Sequence, residues 1–198
     1  MPLLLHFSRT VDRINSAIGR HVCWLILLAV LISTCNALVR KMFNISSNAF
    51  LELQWYLFSA VFLLAGAHAL ARNAHVRIDV LSSRLSPKGQ IWVDIIGLVF
   101  FLTPVCVLVM VTAWPVFVES LQTGEVSNNA GGLILWPARL LVPVGFGLLL
   151  LQGFSQLIKR MAELRGLVPV EAVAEEGPTA EELLAEEIRR ARGLQEAA

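Results

Sequence analysis

Four apolar stretches, each about twenty to twenty-eight residues long and set off by charged segments, constrain this chain more than any other feature of its sequence. An α-helix of that length crosses the hydrocarbon core of a bilayer, and in lipid every backbone N–H and C=O must find its partner inside the protein. The stretches fall at about 22–41, 50–71, 91–118 and 133–158. Composition points the same way, with 56% hydrophobic and 16% charged residues, against about a quarter charged in ordinary soluble domains. The fold class is therefore all-α integral membrane, with four transmembrane helices. A net charge of +1 gives no electrostatic basis for binding nucleic acid. Cys23, Cys35 and Cys106 all lie in apolar runs without metal-ligand spacing, and they read as small packing residues.

Residues 1–20 form a segment of a different kind. Leu4, Phe7, Val11, Ile14 and Ile18 recur at three- and four-residue steps, with Arg9, Asp12, Arg13, Ser16 and Arg20 on much of the opposite side. Beside membrane spans, this pattern predicts an interfacial amphipathic helix in the headgroup plane. The membrane domain then occupies 21–160, and 161–198 forms a cytoplasmic linker with a short helix or a disordered tail. In that tail Glu171, Glu175 and Glu176 are acidic, and Thr179 and Glu182 have capping-box spacing before Leu183 and Leu184. The connection from Arg72 to Pro87 is basic but partly apolar, which suits a second interfacial helix. Pro104 and Pro115 are expected to kink the third span, and SLQTGEVSNNAGG after Glu119 reads as a turn region.

The distribution of basic residues orients the chain. Arg9, Arg13 and Arg20 precede the first span; Arg72, Arg77, Arg84 and Lys88 lie between the second and third; Lys159, Arg160 and Arg165 follow the fourth. The connection between the third and fourth spans holds no Lys or Arg, and only Arg40 and Lys41 argue the other way. Basic residues favour the cytoplasmic side, so both termini are expected inside.

Glu52 is the awkward residue in this scheme, a carboxylate at the start of the second span. Unpaired, it would be costly there, and the topology brings Arg40 and Arg139 to the same outer face, so an ion pair with one of them is expected. Glu52, Ser59, Gly66 and Asn73 follow one another at seven-residue steps, a small and polar seam suited to packing against another helix. Asp94 shares a face with Gly97 near the start of the third span. A relay across the bilayer would need several acidic or His groups in series, and the middles of the spans hold none.

Several residue strings resemble one family. They are Val39-Arg40-Lys41-Met42-Phe43-Asn44 followed by Glu52-Leu53, then Gly66-Ala67-His68 with Arg72, then His75-Val76-Arg77-Ile78-Asp79-Val80-Leu81. Thr123-Gly124-Glu125-Val126-Ser127 and Trp136-Pro137-Ala138-Arg139 with Pro143-Val144-Gly145 complete the set. In this order and four-span setting they resemble the small membrane subunit, the DctQ-like or Q subunit, of tripartite ATP-independent periplasmic (TRAP) transporters. The resemblance covers about Asp12 to Lys159, and Lys41 departs from it where the family usually has an aromatic residue.

The resemblance implies a non-enzymatic, multi-pass protein of the bacterial inner membrane. It implies a large M subunit (DctM-like) as partner, carrying the substrate and sodium sites and moving like an elevator, and a periplasmic P subunit that delivers an organic acid. No cofactor is expected in this chain. Its role would be to brace the scaffold of M and assist docking of P. Candidate structural or subunit-interface residues are Arg40, Glu52, Ser59, Gly66, Arg72, His75, Asp79, Asp94 and Arg139. A second reading is a haem-binding membrane anchor of a respiratory complex, because His21 and His68 approach the same membrane face and haem iron takes axial histidines. A third is a free-standing sensor or structural membrane protein, which would purify without a large membrane partner.

Overall fold

The computed structural model describes residues 2–44, 47–72 and 85–166. Their helices are α1 (Pro2–Phe43), α2 (Asn48–Ala71), α3 (Pro87–Ile96), α4 (Thr103–Thr123) and α5 (Trp136–Leu164), with a π-helical turn at Gly97–Leu102 joining α3 to α4. As the apolar runs require, four helical rods are long and apolar enough to cross a membrane: Leu3–Phe43, Asn48–Ala71, Lys88–Thr123 and Trp136–Leu164. The second interfacial helix expected in the 72–87 connection, and the tail beyond residue 166, lie outside the described residues.

The largest departure from expectation is α1. No break separates residues 2–20 from the first span; one helix of 42 residues, about 63 Å long, contains both. Ser8, Asp12, Asn15, Gly19, Val22 and Ala29 follow the alternating four- and three-residue steps of a packing seam, and five of these six are buried. Asp12, read from the sequence as part of an exposed polar face, is among them. The reason lies in α5, where Gln152, Ser155, Gln156 and Lys159 line one face and offer polar partners.

Helix α5 is the hub. It packs on α1, α2, α3, the π turn and α4, and α1 also packs extensively on α2. Small residues set the closest approaches. A Cβ on Gly145 would stand 2.7 Å from the Leu63 Cβ and 3.0 Å from its carbonyl oxygen. A Cβ on Gly19 would run into the His68 ring. Because backbone cannot yield as a side chain can, Gly145→Ala is expected to cost about 2 kcal/mol by forcing α2 and α5 apart. A melting temperature in detergent equal to that of the unaltered chain would refute this close contact.

The prolines act through local ladder changes. Pro104 has no N–H and its ring crowds the carbonyl four residues back, and the π turn at Gly97–Leu102 lies immediately before it. The Leu98 carbonyl accepts both the backbone N–H of Thr103 and, at 2.8 Å, its hydroxyl. Helix α4 runs on through Pro115 and ends at Gly124, whose left-handed φ of 62° is the conformation glycine adopts without strain. The connection to α5 is an ordered hairpin rather than a plain turn. Val126 and Ile134 form an antiparallel bridge, with Ser127 N to Leu133 O at 2.9 Å and Leu135 N to Glu125 O at 2.9 Å.

Candidate functional site

Two polar clusters, one at each end of the helices, hold the fold together. At the end where α2 begins, the hairpin folds over the helix and its donors converge on Glu52. One carboxylate oxygen accepts from the Ser127 hydroxyl and, at 2.8 Å, from the Asn129 amide; the other accepts from the Leu133 backbone N–H at 2.7 Å. Asn48 donates to the Ala130 carbonyl at 3.1 Å, and Tyr56, one turn after Glu52, donates its hydroxyl to the Ile134 carbonyl at 3.1 Å. Gly132 has to be small here, because a Cβ would stand 2.6 Å from that of Ser127.

The expected ion pair of Glu52 with Arg40 or Arg139 is therefore corrected. Arg139, in the first turns of α5, lies beside Glu125 at the root of the hairpin, with guanidinium nitrogens 2.6 and 2.8 Å from its carboxylate oxygens. Arg40 is exposed in the last turn of α1 and has no side-chain partner among the described residues. The charge on Glu52 is met by directed hydrogen bonds from neutral donors instead, which are stronger to a carboxylate than to a neutral acceptor.

At the opposite end, α1 and α5 share a buried polar network. Lys159 Nζ lies 2.5 Å from Asp12 Oδ2, while Asp12 Oδ1 accepts from Gln152 at 2.8 Å and from the Ser155 hydroxyl at 3.0 Å. Asn15 donates to Gln152 Oε1 at 2.6 Å, and the hydroxyls of Ser8 and Ser155 meet at 2.6 Å. Ser8, Asp12, Asn15, Gln152 and Ser155 are all at most 3% exposed. One turn on, Gln156 donates to the carbonyls of Leu70 and Ala71, both at 3.3 Å, and so caps the end of α2. Arg160 bridges Asp94 at 3.0 Å and Glu163 at 2.9 Å, tying α3 to the same end of α5.

The remaining candidates are scattered. Ser59 is half-buried in mid-helix, and Gly66 faces open space: nothing lies within 4 Å of where its Cβ would be. Among the described residues Gly66 is thus not a point of close packing for α2; Leu63 on Gly145 and His68 against Gly19 are. Arg72 caps α2 through its backbone, donating to the His68 carbonyl at 3.1 Å. Asn73, His75 and Asp79 lie outside the described residues.

A four-span helical protein with these ties is compatible with many roles, and the family comparison is what narrows them. Residues 29–163, more than half of the chain, match the family model described as tripartite ATP-independent periplasmic transporters, DctQ component. The chain belongs to the DctQ family. Comparison with curated proteins and with solved structures gives no significant match. As a DctQ-family chain it is a multi-pass membrane component of a tripartite transporter, and its family is one of transport subunits, not of enzymes.

The haem-anchor alternative gains no support from this DctQ chain. His21 is exposed and bonds through Nδ1 to the Ala17 carbonyl of its own helix at 2.7 Å, whereas the His68 ring lies against Gly19. The two rings turn to different neighbours. The Asp12 network had a signal that sequence reasoning passed over: Gln152, Ser155, Gln156, Lys159 and Glu163 recur on one face of an otherwise apolar helix. Half of that network, Ser8 to Asn15, precedes the matched region, while its α5 half lies inside it.

Proposed function

We propose that this chain is the small auxiliary permease subunit of a sodium-driven TRAP transporter for organic acids. In this reading it sits in the bacterial inner membrane with both termini cytoplasmic, braces the stationary scaffold of a large M subunit, and helps a periplasmic P subunit to dock. Substrate and sodium bind in M, and this chain supplies a rigid body for M to move against.

The observation that carries the bracing role is the pairing of latched ends with an open apolar exterior. Hydrogen bonds and ion pairs link helices far apart in sequence at both ends, while Trp55, Phe58 and Phe62 on α2 and Phe101, Leu108 and Trp114 on the α3–α4 rod all stay more than half exposed. A transport pathway needs the reverse arrangement, with polar groups in mid-membrane. Assistance to P fits the hairpin, which Glu52 holds on the end of α2 at the proposed outer face with Val126 and Ile134 exposed.

Co-expression with its cognate M subunit tests the proposal. The two should migrate as one complex in mild detergent, and uptake in proteoliposomes should require both together with P. Separate migration, combined with uptake by M and P alone, would refute it.

A further inference from the structure

The first half of α1 has three distinct sides. Ser8, Asp12 and Asn15 point into α5 and are buried. Leu3, Phe7 and Ile14 form a second side, each 45% exposed or more. Arg9, Arg13 and Arg20 form the third, at steps of four and seven residues, so with about 100° per residue they fall within a sector of about 40°. All three are exposed, and among the described residues none of their side chains enters a hydrogen bond or ion pair. The carboxylate closest to them in sequence, Asp12, is committed to Lys159 on the buried side of the helix. Three guanidinium groups without a counter-charge among the described residues thus stand in line, about a third of a turn from an exposed apolar strip.

We propose that this arginine line is a binding site for anionic phospholipid, with Arg9, Arg13 and Arg20 on the headgroup phosphates and Leu3, Phe7 and Ile14 among the upper acyl chains. Both parts of a lipid are matched side by side, and Arg binds phosphate through a planar fork of donors. An acidic protein segment would use the charges but leave the apolar strip uncovered. Juxtamembrane basic residues attract anionic lipid by about 1 kcal/mol each, or roughly fivefold in association per residue near the surface. The site lies at the end of α1 that the charge distribution assigns to the cytoplasmic leaflet. It would hold α1 at a fixed depth while the Asp12 network holds α1 to α5.

Trp24, one turn beyond Arg20 on the same side and 69% exposed, is a built-in reporter. The test uses the full chain with Trp55, Trp92, Trp114 and Trp136 changed to Phe, reconstituted in phosphatidylcholine vesicles. A fixed share of the lipid is brominated phosphatidylglycerol in one sample and brominated phosphatidylcholine in the other. Quenching of Trp24 should show a preference for phosphatidylglycerol of about fivefold or more in relative association. The triple variant R9Q/R13Q/R20Q should lose that preference while keeping ordinary quenching by brominated phosphatidylcholine, which certifies insertion, and R9K/R13K/R20K should retain most of it. Equal quenching by the two lipids in the unaltered chain would overturn the proposal. So would a preference untouched in the glutamine variant, or one that emerges only when residues 168–198 are removed, since the acidic tail would then be the occupant.

Discussion

Asp12→Ala is expected to lower the melting temperature of the detergent-purified protein by on the order of 10 °C. The Asp12 side chain is 4% exposed and that of Lys159 is 19%, so deleting the carboxylate strands an ammonium group where little water reaches it. It also strips the acceptor from the Gln152 amide and the Ser155 hydroxyl, both on buried residues. Breaking one side of such a pair costs about 3 kcal/mol, whereas removing both charges together costs much less. Asp12→Asn combined with Lys159→Met should therefore recover most of the loss, because the asparagine still accepts from Gln152 or Ser155. If Asp12→Ala melts like the unaltered chain, the network does not hold α1 to α5. If the double variant is no better than the single, the penalty does not come from the stranded charge.

Glu52→Ala is expected to free the hairpin without unfolding the helices. Its clearest reporter is the Leu133 amide, which donates directly to the carboxylate. Hydrogen exchange at that amide should quicken about tenfold or more, since bonds to a charged acceptor are among the stronger ones. Amides in the middle of α5 should be unaffected. Glu52→Gln should fall between, because it keeps one acceptor oxygen but turns an NH₂ toward a cluster of donors. Arg40→Ala should leave Leu133 exchange unchanged; an effect as large as that of Glu52→Ala would restore Arg40 as the partner. Under the proposed function, Glu52→Ala should also reduce uptake in the three-component assay while P binds its organic acid normally.

These two sites differ in how far the sequence announces them. The spans were legible because about twenty apolar residues in lipid leave the backbone no choice but a helix. Glu52 was legible as an anomaly, but its partners were not. Leu133 contributes a backbone N–H, which has no sequence signature, and Ser127 and Asn129 belong to a stretch that composition marks only as a turn. The Asp12 cluster was hidden for a different reason. In water a helix hides its apolar side, so Arg9, Asp12, Arg13 and Ser16 read together as one solvated face. Where the apolar side can face lipid instead, burial loses its fixed link to hydrophobicity, and polar residues divide between inward and outward positions. Asp12 went inward because α5 supplies Gln152, Ser155 and Lys159 opposite it; Arg9 and Arg13 have no such counterparts. The family match began after this region and gave no guidance about it.

The π turn at Gly97–Leu102 sets the phase of the whole α3–α4 rod. An extra residue in a helical turn rotates everything before it by about 100° relative to everything after it. Asp94 lies before the turn and Cys106, buried against the body of the protein, lies after it. With an unbroken α-helix, seating one of these residues inward would swing the other away by more than a quarter revolution. The turn therefore works as a dial between two faces. It lets α4 keep its seat on α5 while α3 aims Asp94 at Arg160, so that a proline two residues downstream is answered by a change of heading and not by a bend alone.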